Sequence, residues 1–331
     1  MATVVEQLAL EEYPGQAPYL DYARSLDRLL AEHDVDVEAR FVDVVVREPG
    51  GRTSTQRTFV METGEGTPVV FFNGTPATSA VWVPLLTKLS GVRAILVDRP
   101  GHGLSAELDY AAVPDVRAHA VPFTESLLDA LGYDTVVLAG NSFGGLWCLW
   151  FAAQRPERVS SIVLPGAPPG LLHDRTPPIF GLLSVGWVSR LMRRLDPPRL
   201  AATRRMFAMM GDPPEQLSET FIESYTRGQQ LPNVVGGTVH LIHHVRFPGR
   251  MPQELVLTHD ELSRIRHATL GLVGPKDFVA DPGEMARLVE PIPHHRVEVV
   301  GIGHLPWLQD RDSVAASICT FIDRRASISD T

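Results

Sequence analysis

One serine of the chain stands where its hydroxyl could act as a nucleophile. The apolar run TVVLAG (135–140) leads into GNSFGG (140–145), and the helical pattern LWCLWFAAQ (146–154) follows. A G-x-S-x-G sequence between a strand and a helix forces a sharp turn that exposes the serine hydroxyl above the sheet. A glycine-rich turn with an incidental serine is the alternative, but it does not require a strand and a helix on either side. The pattern predicts that Ser142 is a nucleophile.

Two later residues could activate this serine. A serine hydroxyl needs a general base, and the base needs an acid that orients it. Where the nucleophile follows a strand in this way, the acid and then the base follow later strands. Asp277 and His304 each come directly after a predicted late strand. Asp281 is the alternative acid, but an Asp at the start of a helical segment is typical of an N-cap. The order predicts Asp277 as the acid and His304 as the base.

Acyl transfer at such a serine passes through an oxyanion, which needs two backbone N–H donors. The amide of Phe143, directly after the nucleophile, is one candidate. The other should come from the loop NGTP (73–76) after the strand PVVFF. Because Pro76 has no N–H, Thr75 is the better donor in that loop. Asn73 of the same loop is a candidate substrate contact.

The elements that must position these residues repeat a strand–loop–helix unit. Four strand patterns are short, apolar throughout and rich in β-branched residues, as in strands buried on both faces. They are PVVFFN (68–73), RAILVD (93–98), TVVLAG (135–140) and SSIVLPG (160–166), and later in the chain HATLGLVG (267–274) and HRVEVVG (295–301) restore strand character. Helical segments lie around 79–90, 115–131, 143–154 and 313–326, and a hairpin over 39–48 and 55–64 precedes them. The repetition predicts an α/β fold with a doubly wound parallel sheet.

Residues 167–250 interrupt this repetition. They are rich in Pro, Met and Arg, have no convincing strand, and include the amphipathic run 179–195. The helical pattern over 20–33 has an apolar face that we expect to pack on the sheet edge or on a partner subunit. The predicted organisation has three parts: an N-terminal helical extension (1–37), a core (38–166 and 251–331) and a helical insertion (167–250).

Composition narrows the class of protein. The chain has 331 residues, 44% of them hydrophobic and 21% charged, so it can bury a large core. Its net charge of −9 disfavours nucleic acid, which needs a concentrated basic surface. Two cysteines, Cys148 and Cys319, could form at most one disulfide, which fits a reducing compartment. Without a signal-peptide pattern or a run of about 18 apolar residues, we expect a cytoplasmic protein with no membrane span.

Three competing interpretations are weaker. The run GHGLSA (101–106) fits G-x-G-x-x-A, but a helical pattern stands where a dinucleotide site needs a second strand ending in an acid. His240 and His244 have i, i+4 spacing but lack the Glu of an H-E-x-x-H metal motif. The apolar side of the helix around Trp187 is better explained by packing over a pocket than by a membrane surface. We therefore expect no cofactor and no metal.

Four sets of residues together resemble the α/β-hydrolase fold superfamily across residues 38–325. They are NGTP (73–76), DRPGHGLS (98–105), GNSFGG (140–145) and the pair GPKDFV (274–279) and GIGHLPW (301–307). The resemblance implies an eight-stranded, mostly parallel sheet and makes 167–250 a helical cap over the active site. Serine at position 142 separates the chain from the epoxide hydrolases and haloalkane dehalogenases of this group, which carry Asp there. The sequence GNSFGG is similar to that of C–C bond hydrolases acting on ring-cleavage products, and also to that of esterases and perhydrolases.

The predicted function is hydrolysis of a small, largely apolar ester or lactone through an acyl-enzyme on Ser142. Hydrolysis of a C–C bond in a β-diketone-like substrate is the alternative. A ligand receptor that keeps Ser142, His304 and Asp277 but turns over slowly is a third interpretation, because fold does not decide function. Phe180, Trp187 and Met206 are predicted to contact the substrate from their place in the insertion. The expected partner is a small-molecule substrate, and the sequence leaves open whether the chain forms a homo-oligomer.

Overall fold

An eight-stranded sheet forms the centre of the computed structural model. The described residues are 2–9, 17–47, 51–108, 113, 115–175, 181–182, 184–185, 187–188, 198–244 and 249–329. The strands are β1 (Glu38–Arg47), β2 (Thr53–Thr63), β3 (Thr67–Phe72), β4 (Val92–Val97), β5 (Val136–Gly140), β6 (Val159–Pro165), β7 (Ala268–Val273) and β8 (His295–Val299). Each strand pattern predicted from the sequence is therefore a strand of this sheet.

The strands lie in the order β1-β2-β4-β3-β5-β6-β7-β8. β1 and β2 form the predicted antiparallel hairpin, and β2 also pairs antiparallel with β4. All the remaining pairings are parallel. The inner parallel strands are buried on both faces, and every residue of β5 is buried, which explains their continuous apolar sequences. The predicted doubly wound, mostly parallel α/β sheet is confirmed.

Helices cover both faces of the sheet. The described helices are α1 (Val4–Gln7), α2 (Ala17–Glu32), α3 (Val83–Leu86), α4 (Val116–Leu131), α5 (Phe143–Gln154), α6 (Leu200–Met209), α7 (Glu219–Gln230), α8 (Pro232–His244), α9 (His259–Ser263), α10 (Pro282–Val289) and α11 (Arg311–Ser329). One apolar layer joins the sheet to α4, α5 and α10, and the other joins it to α2, α3, α7 and α11. These two layers hold the ends of the strands in fixed positions.

The order of the strands reverses between β3 and β5. From β3 the chain moves outward to β4 and then crosses back to β5 on the other side of β3. Phe72, the last residue of β3, pairs with Gly140, the last residue of β5. In open α/β sheets, ligands bind at the carboxyl ends of the strands where the order reverses. The loop after β3 and the turn after β5 therefore meet at the place where this fold binds ligands.

The segment between β6 and β7, here called the β6–β7 insertion (residues 166–267), carries helices α6 to α9. Among its described residues only isolated bridges, Leu171 with Leu257 and Arg175 with Arg250, have β character. Helix α7 of this insertion packs against α2 of the N-terminal region. The apolar face of α2 therefore packs against the insertion of the same chain. The boundaries at 37, 167 and 250 stay predictions.

The described residues contain no helix that is long and apolar enough to cross a membrane. Within the same residues, no group of three or more His, Cys, Asp or Glu side chains is placed to hold a metal ion. The side chains of His240 and His244 lie outside the description. Cys148 and Cys319 are both free thiols, and burial raises the pKa of the Cys148 thiol far above its ordinary range. Cys148 is therefore protonated at neutral pH.

Candidate active site

Ser142 occupies a strained turn between β5 and α5. Its backbone has φ 53° and ψ −124°, a conformation that residues with a side chain rarely adopt. Such strain persists where the surrounding structure imposes it, and it is concentrated at functional sites. Helix α5 starts at the next residue, Phe143, so the free N–H groups of its first turn lie beside the serine. Ser142 is partly exposed, whereas Asn141 and Phe143 on either side are buried.

Glycines allow this turn to pack closely. A Cβ on Gly144 would overlap the carbonyl oxygen of Phe72 at the end of β3, and a Cβ on Gly140 would overlap the carbonyl of Gly144. A Cβ on Gly74, in the loop after β3, would lie 2.9 Å from the Cβ of Ser142. Real Cβ atoms do not approach other atoms this closely, so all three positions require glycine. The sequence G-x-S-x-G is thus explained by contact between β3, β5 and α5.

His304 and Asp277 form a buried hydrogen-bonded pair. The Nδ1 atom of His304 lies 2.8 Å from Oδ1 of Asp277, and their side chains are 3% and 0% exposed. Two backbone N–H groups also donate to the carboxylate, Val279 N to Oδ1 and Ala167 N to Oδ2, both at 2.9 Å. These bonds fix the carboxylate, which in turn fixes the imidazole with Nδ1 as the donor. Asp281, the alternative acid, instead accepts from Glu284 N as the N-cap of α10.

The electrostatic environment favours the protonated imidazole. Burial lowers the pKa of His304, but the Asp277 carboxylate and its hydrogen bond, together with Asp212, raise that pKa above its ordinary value of 6.5. The ring of Phe278 stands edge-on to the imidazole, with the ring centroids 4.8 Å apart. The Nε2 atom is buried and has no hydrogen-bond partner among the described residues. Nε2 is therefore available to accept a proton.

Asn141 joins the turn at Ser142 to the loop that carries His304. Its Nδ2 donates to the carbonyl of His304 at 3.1 Å and to that of Pro165 at 2.8 Å. A Cβ on Gly166 would overlap both the carbonyl oxygen of His304 and Nδ2 of Asn141. The residue after β6, the turn at Ser142 and the loop of His304 therefore meet at this point. The structure therefore brings Ser142, Asp277 and His304 to one edge of the sheet. The sequence gives no signal for Asn141 beyond its place next to Ser142.

Asp98, the first residue of DRPGHGLS (98–105), supports the loop after β3. Asp98 accepts from Ser79 N at 2.7 Å and from Leu104 N at 2.9 Å, while burial raises the pKa of its carboxyl group. Asn73 is fully buried, and its Nδ2 donates to the carbonyls of Gly74 and Ala77 within the loop. The side chain of Asn73 thus supports the loop that positions Thr75. Whether it also contacts substrate stays a prediction.

Arg99 links the two residues predicted to bind the oxyanion. Its Nη2 donates to the Thr75 hydroxyl at 3.0 Å, and its guanidinium lies 5.2 Å from the ring centroid of Phe143. The side chain is fully buried, and a second ring, that of Trp147, lies at 5.1 Å. Burial and the Arg99 charge hold the pKa of His102, which contacts the same hydroxyl, well below 6.5, so His102 is neutral. Sequence reasoning missed Arg99, since it was one residue of a longer motif.

The predicted substrate contacts of the insertion lie in different settings. Met206 on α6 is half-buried, and its sulfur accepts from Nε2 of Gln229 at 3.3 Å. Trp187 is 66% exposed. Phe180 lies outside the described residues. Contact of any of the three with substrate stays a prediction.

The chain matches known proteins across most of its length. A family model described as alpha/beta hydrolase fold matches residues 67–310. A 2-hydroxy-6-oxononadienedioate/2-hydroxy-6-oxononatrienedioate hydrolase of Klebsiella pneumoniae is 26% identical over 295 residues, which cover 86% of this chain and 96% of the relative. A pimeloyl-[acyl-carrier protein] methyl ester esterase of Legionella pneumophila is 34% identical over 112 residues, which cover 34% of this chain and 42% of that protein.

Solved structures agree with the topology described above. Carboxylesterase CesB from Bacillus subtilis superposes with a TM-score of 0.70 at 19% identity, covering 92% of this chain and 98% of that one. At this identity the likeness bears on the fold alone. The family match spans residues 67–310, which include β3 to β8 and the positions of Ser142, Asp277 and His304. The chain belongs to the α/β-hydrolase fold family.

Proposed function

We propose that the chain is a serine hydrolase that cleaves a small, largely apolar ester or lactone. Ser142 attacks the carbonyl carbon, and Nε2 of His304 takes the proton of its hydroxyl. The C–O bond to the alcohol oxygen then breaks as that oxygen takes the proton; an ester releases the alcohol, and a lactone ring opens. Water, which gives a proton to His304, then attacks the acyl-enzyme, and the acid is released as Ser142 regains its proton. Asp277 keeps the imidazole in the tautomer that leaves Nε2 unprotonated, and it stabilises the imidazolium that forms.

One observation carries this proposal above the others. A serine in a strained strand-to-helix turn lies at the same sheet edge as a buried His304–Asp277 pair whose Nε2 has no partner among the described residues. Burying a polar nitrogen without a partner is unfavourable, and native structures keep such groups where they have a function. A base that takes a proton only when substrate is present is a function of this kind.

The surroundings of Phe143 and Thr75 support their roles as oxyanion donors. The Phe143 amide belongs to the first turn of the 12-residue helix α5, whose positive end favours a negative charge. Arg99 adds a buried positive charge close to both residues. In a water-poor site such preorganised groups stabilise a developing oxyanion more strongly than they would in water.

The β6–β7 insertion acts, in this proposal, as a cap that shapes the substrate pocket. Its segment after α6 contacts the loop of His304, since His304 N donates to the carbonyl of Met210 at 3.2 Å. Residues carried by the same insertion, among them Phe180, Trp187 and Met206, would then set the size of acyl group accepted. Largely apolar side chains at these positions favour an apolar substrate.

Hydrolysis of a C–C bond next to a carbonyl is the second candidate. The Klebsiella relative, which matches 86% of this chain, is named for a 6-oxo acid rather than for an ester. The same groups would serve such a reaction, because both reactions place negative charge on a carbonyl oxygen. The Legionella esterase, similar over a shorter part of the chain, favours the ester.

Turnover of p-nitrophenyl esters of graded acyl length tests the proposal. We expect many cycles per protein molecule, because the proposed reaction regenerates Ser142 when the acyl-enzyme is hydrolysed. Since the proposed substrate is small, we expect the maximum at a short or medium acyl chain. A β-diketone-like substrate assayed alongside reports the second candidate. A folded protein that releases at most one equivalent of p-nitrophenol and then stops would contradict the proposal and favour a ligand receptor.

A further inference from the structure

A second carboxylate lies beside the loop that carries His304. Asp212 follows α6 in the β6–β7 insertion and is 0% exposed. Its Oδ1 accepts from the backbone N–H of Leu305 at 3.2 Å and from Nε2 of Gln309 at 3.1 Å. Its Oδ2 is buried and has no hydrogen-bond partner among the described residues. A buried carboxylate oxygen without a donor is costly, so a functional reason for it should be sought.

The insertion and the His304 loop are joined at several points around this carboxylate. His304 N donates to the carbonyl of Met210 at 3.2 Å. A Cβ on Gly303 would lie 2.5 Å from both the backbone N and Oδ1 of Asp212, which leaves room only for glycine. Gln309, which donates to Asp212, also accepts from Ile302 N and Gly303 N at 3.3 and 3.4 Å. The loop is therefore held between the insertion and the turn that precedes α11.

From this geometry we infer that Asp212 is a second carboxylate acting on His304: it positions the imidazole loop and places a negative charge beside the base. The inference rests on the proposed function, because it assigns a role in the proton transfer between Ser142 and His304. Asp212 does not touch the reacting atoms. It is a positioning residue contributed by the insertion, in addition to Asp277 from the core.

The charges around His304 agree with this assignment. Burial raises the pKa of Asp212 to about 6, although His304 and the donors Leu305 and Gln309 act to lower it and Asp277 acts to raise it. The carboxyl group is thus mainly ionised at neutral pH. Conversely, Asp212 adds to Asp277 in raising the pKa of His304. Both aspartates are buried ionisable groups, which are typical of groups that tune a functional site.

No other charged side chain in the described surroundings takes over this effect. Tyr225 on α7 faces Asp212, and both burial and that carboxylate raise the pKa of Tyr225, so its phenol stays neutral. Lys276 approaches Gly211 through its backbone carbonyl, while the residue itself is exposed. The negative charges that act on the imidazole are therefore those of Asp277 and Asp212.

The variant Asp212→Asn tests the charge separately from the hydrogen bonds. Asparagine retains an acceptor for Leu305 N and Gln309, but it removes the negative charge. The base is active when neutral, so turnover falls as the pH drops through the pKa of His304. Without the charge this pKa should decrease, and the acid limb of kcat/KM should move to lower pH by about half to one unit. The plateau of kcat should fall roughly three- to tenfold with KM unchanged, because the imidazolium of the transition state is less stabilised.

Nuclear magnetic resonance measures the pKa of His304 directly, without a turnover assay. Histidine labelled at Cε1, in a Ser142→Ala background, reports the titration of each of the 12 histidines, and a His304→Gln variant identifies the signal. We expect the His304 titration to move to lower pH in Asp212→Asn, and to stay in place in Asp212→Glu, which keeps the charge. Asp310→Asn is the matched control, since Asp310 is the acceptor for Ser313 N at the start of α11. Its His304 titration should be unchanged.

Two outcomes would overturn the inference. In the first, the His304 titration is the same with Asp212 and with Asn at this position. In the second, Asp212→Glu shifts it as much as Asp212→Asn does, so that charge is not the cause. Failure of the proposed function would look different: the wild type would show no turnover dependent on Ser142, while the titration in the Ser142→Ala background would still report on Asp212.

Discussion

Replacing Ser142 by alanine is expected to lower the turnover of the best p-nitrophenyl ester by about 10³-fold or more, with the fold retained. The change removes the only atom that can form the acyl-enzyme in the proposed reaction, and binding and oxyanion stabilisation alone give a small residual rate. Alanine keeps the Cβ that the turn already accommodates at φ 53°. The strain of the turn, and hence the stability, should change little. Steady-state kcat of the two proteins tests the loss of turnover, and their melting temperatures test whether stability is retained.

Ser161→Ala is the matched control for this experiment. Ser161 lies on β6, is buried, and its hydroxyl has no hydrogen-bond partner among the described residues. Its replacement removes one serine hydroxyl from the same sheet and should leave kcat within about twofold of the wild type, because it disturbs no catalytic contact. A Ser142→Ala protein that keeps more than a tenth of wild-type turnover would contradict the assignment of the nucleophile.

Asp277→Asn should lower kcat by about 10³- to 10⁴-fold, because an amide in this place presents a donor to Nδ1 and favours the wrong imidazole tautomer. The carboxylate accepts three hydrogen bonds in the structure, from His304 Nδ1, Val279 N and Ala167 N. An asparagine can accept only through one of its two terminal atoms. The variant should therefore also lose about 1–3 kcal/mol of unfolding free energy. Steady-state kinetics and chemical denaturation measure the two effects separately.

Asp281→Asn distinguishes the assigned acid from its nearest alternative. Asp281 caps α10 by accepting from Glu284 N at 2.8 Å, and asparagine is an equally good N-cap residue. Turnover and stability should therefore both stay close to the wild type. Large loss of activity in Asp281→Asn, with Asp277→Asn nearly unaffected, would show that the acid has been assigned to the wrong residue.

The main features of the fold could be predicted because its sequence patterns are local. A strand buried on both faces must be apolar throughout, and this made β3 to β6 recognisable before their order was known. The turn at Ser142 was recognisable for a similar reason. The close contacts between β3, β5 and α5 admit only glycine at positions 140 and 144. The packing of the turn can therefore be inferred from these two glycines in the sequence.

Other features of the site depend on contacts between distant residues, which leave no such pattern. Asn141 donates to the carbonyl of His304, 163 positions along the chain. Because every residue has a backbone carbonyl, the residue type at position 304 does not indicate this contact. Asp212 sits between Gly211 and a proline, a composition typical of an ordinary turn. Its place beside the His304 loop follows only from how the insertion docks on the core. Helix α2 likewise has a clear apolar face, but the sequence could not identify α7 as its partner.

Covalent labelling tests the central claim, that Ser142 is an activated nucleophile, most directly. An alkyl fluorophosphonate phosphonylates serines that a neighbouring base activates, and mass spectrometry of the digested protein locates the adduct. We predict one adduct per chain, on the peptide that contains Ser142, with none in Ser142→Ala and much slower labelling in Asp277→Asn. A folded wild-type protein that stays unlabelled, or whose adduct lies on another serine, would contradict the assignment of Ser142 as the nucleophile.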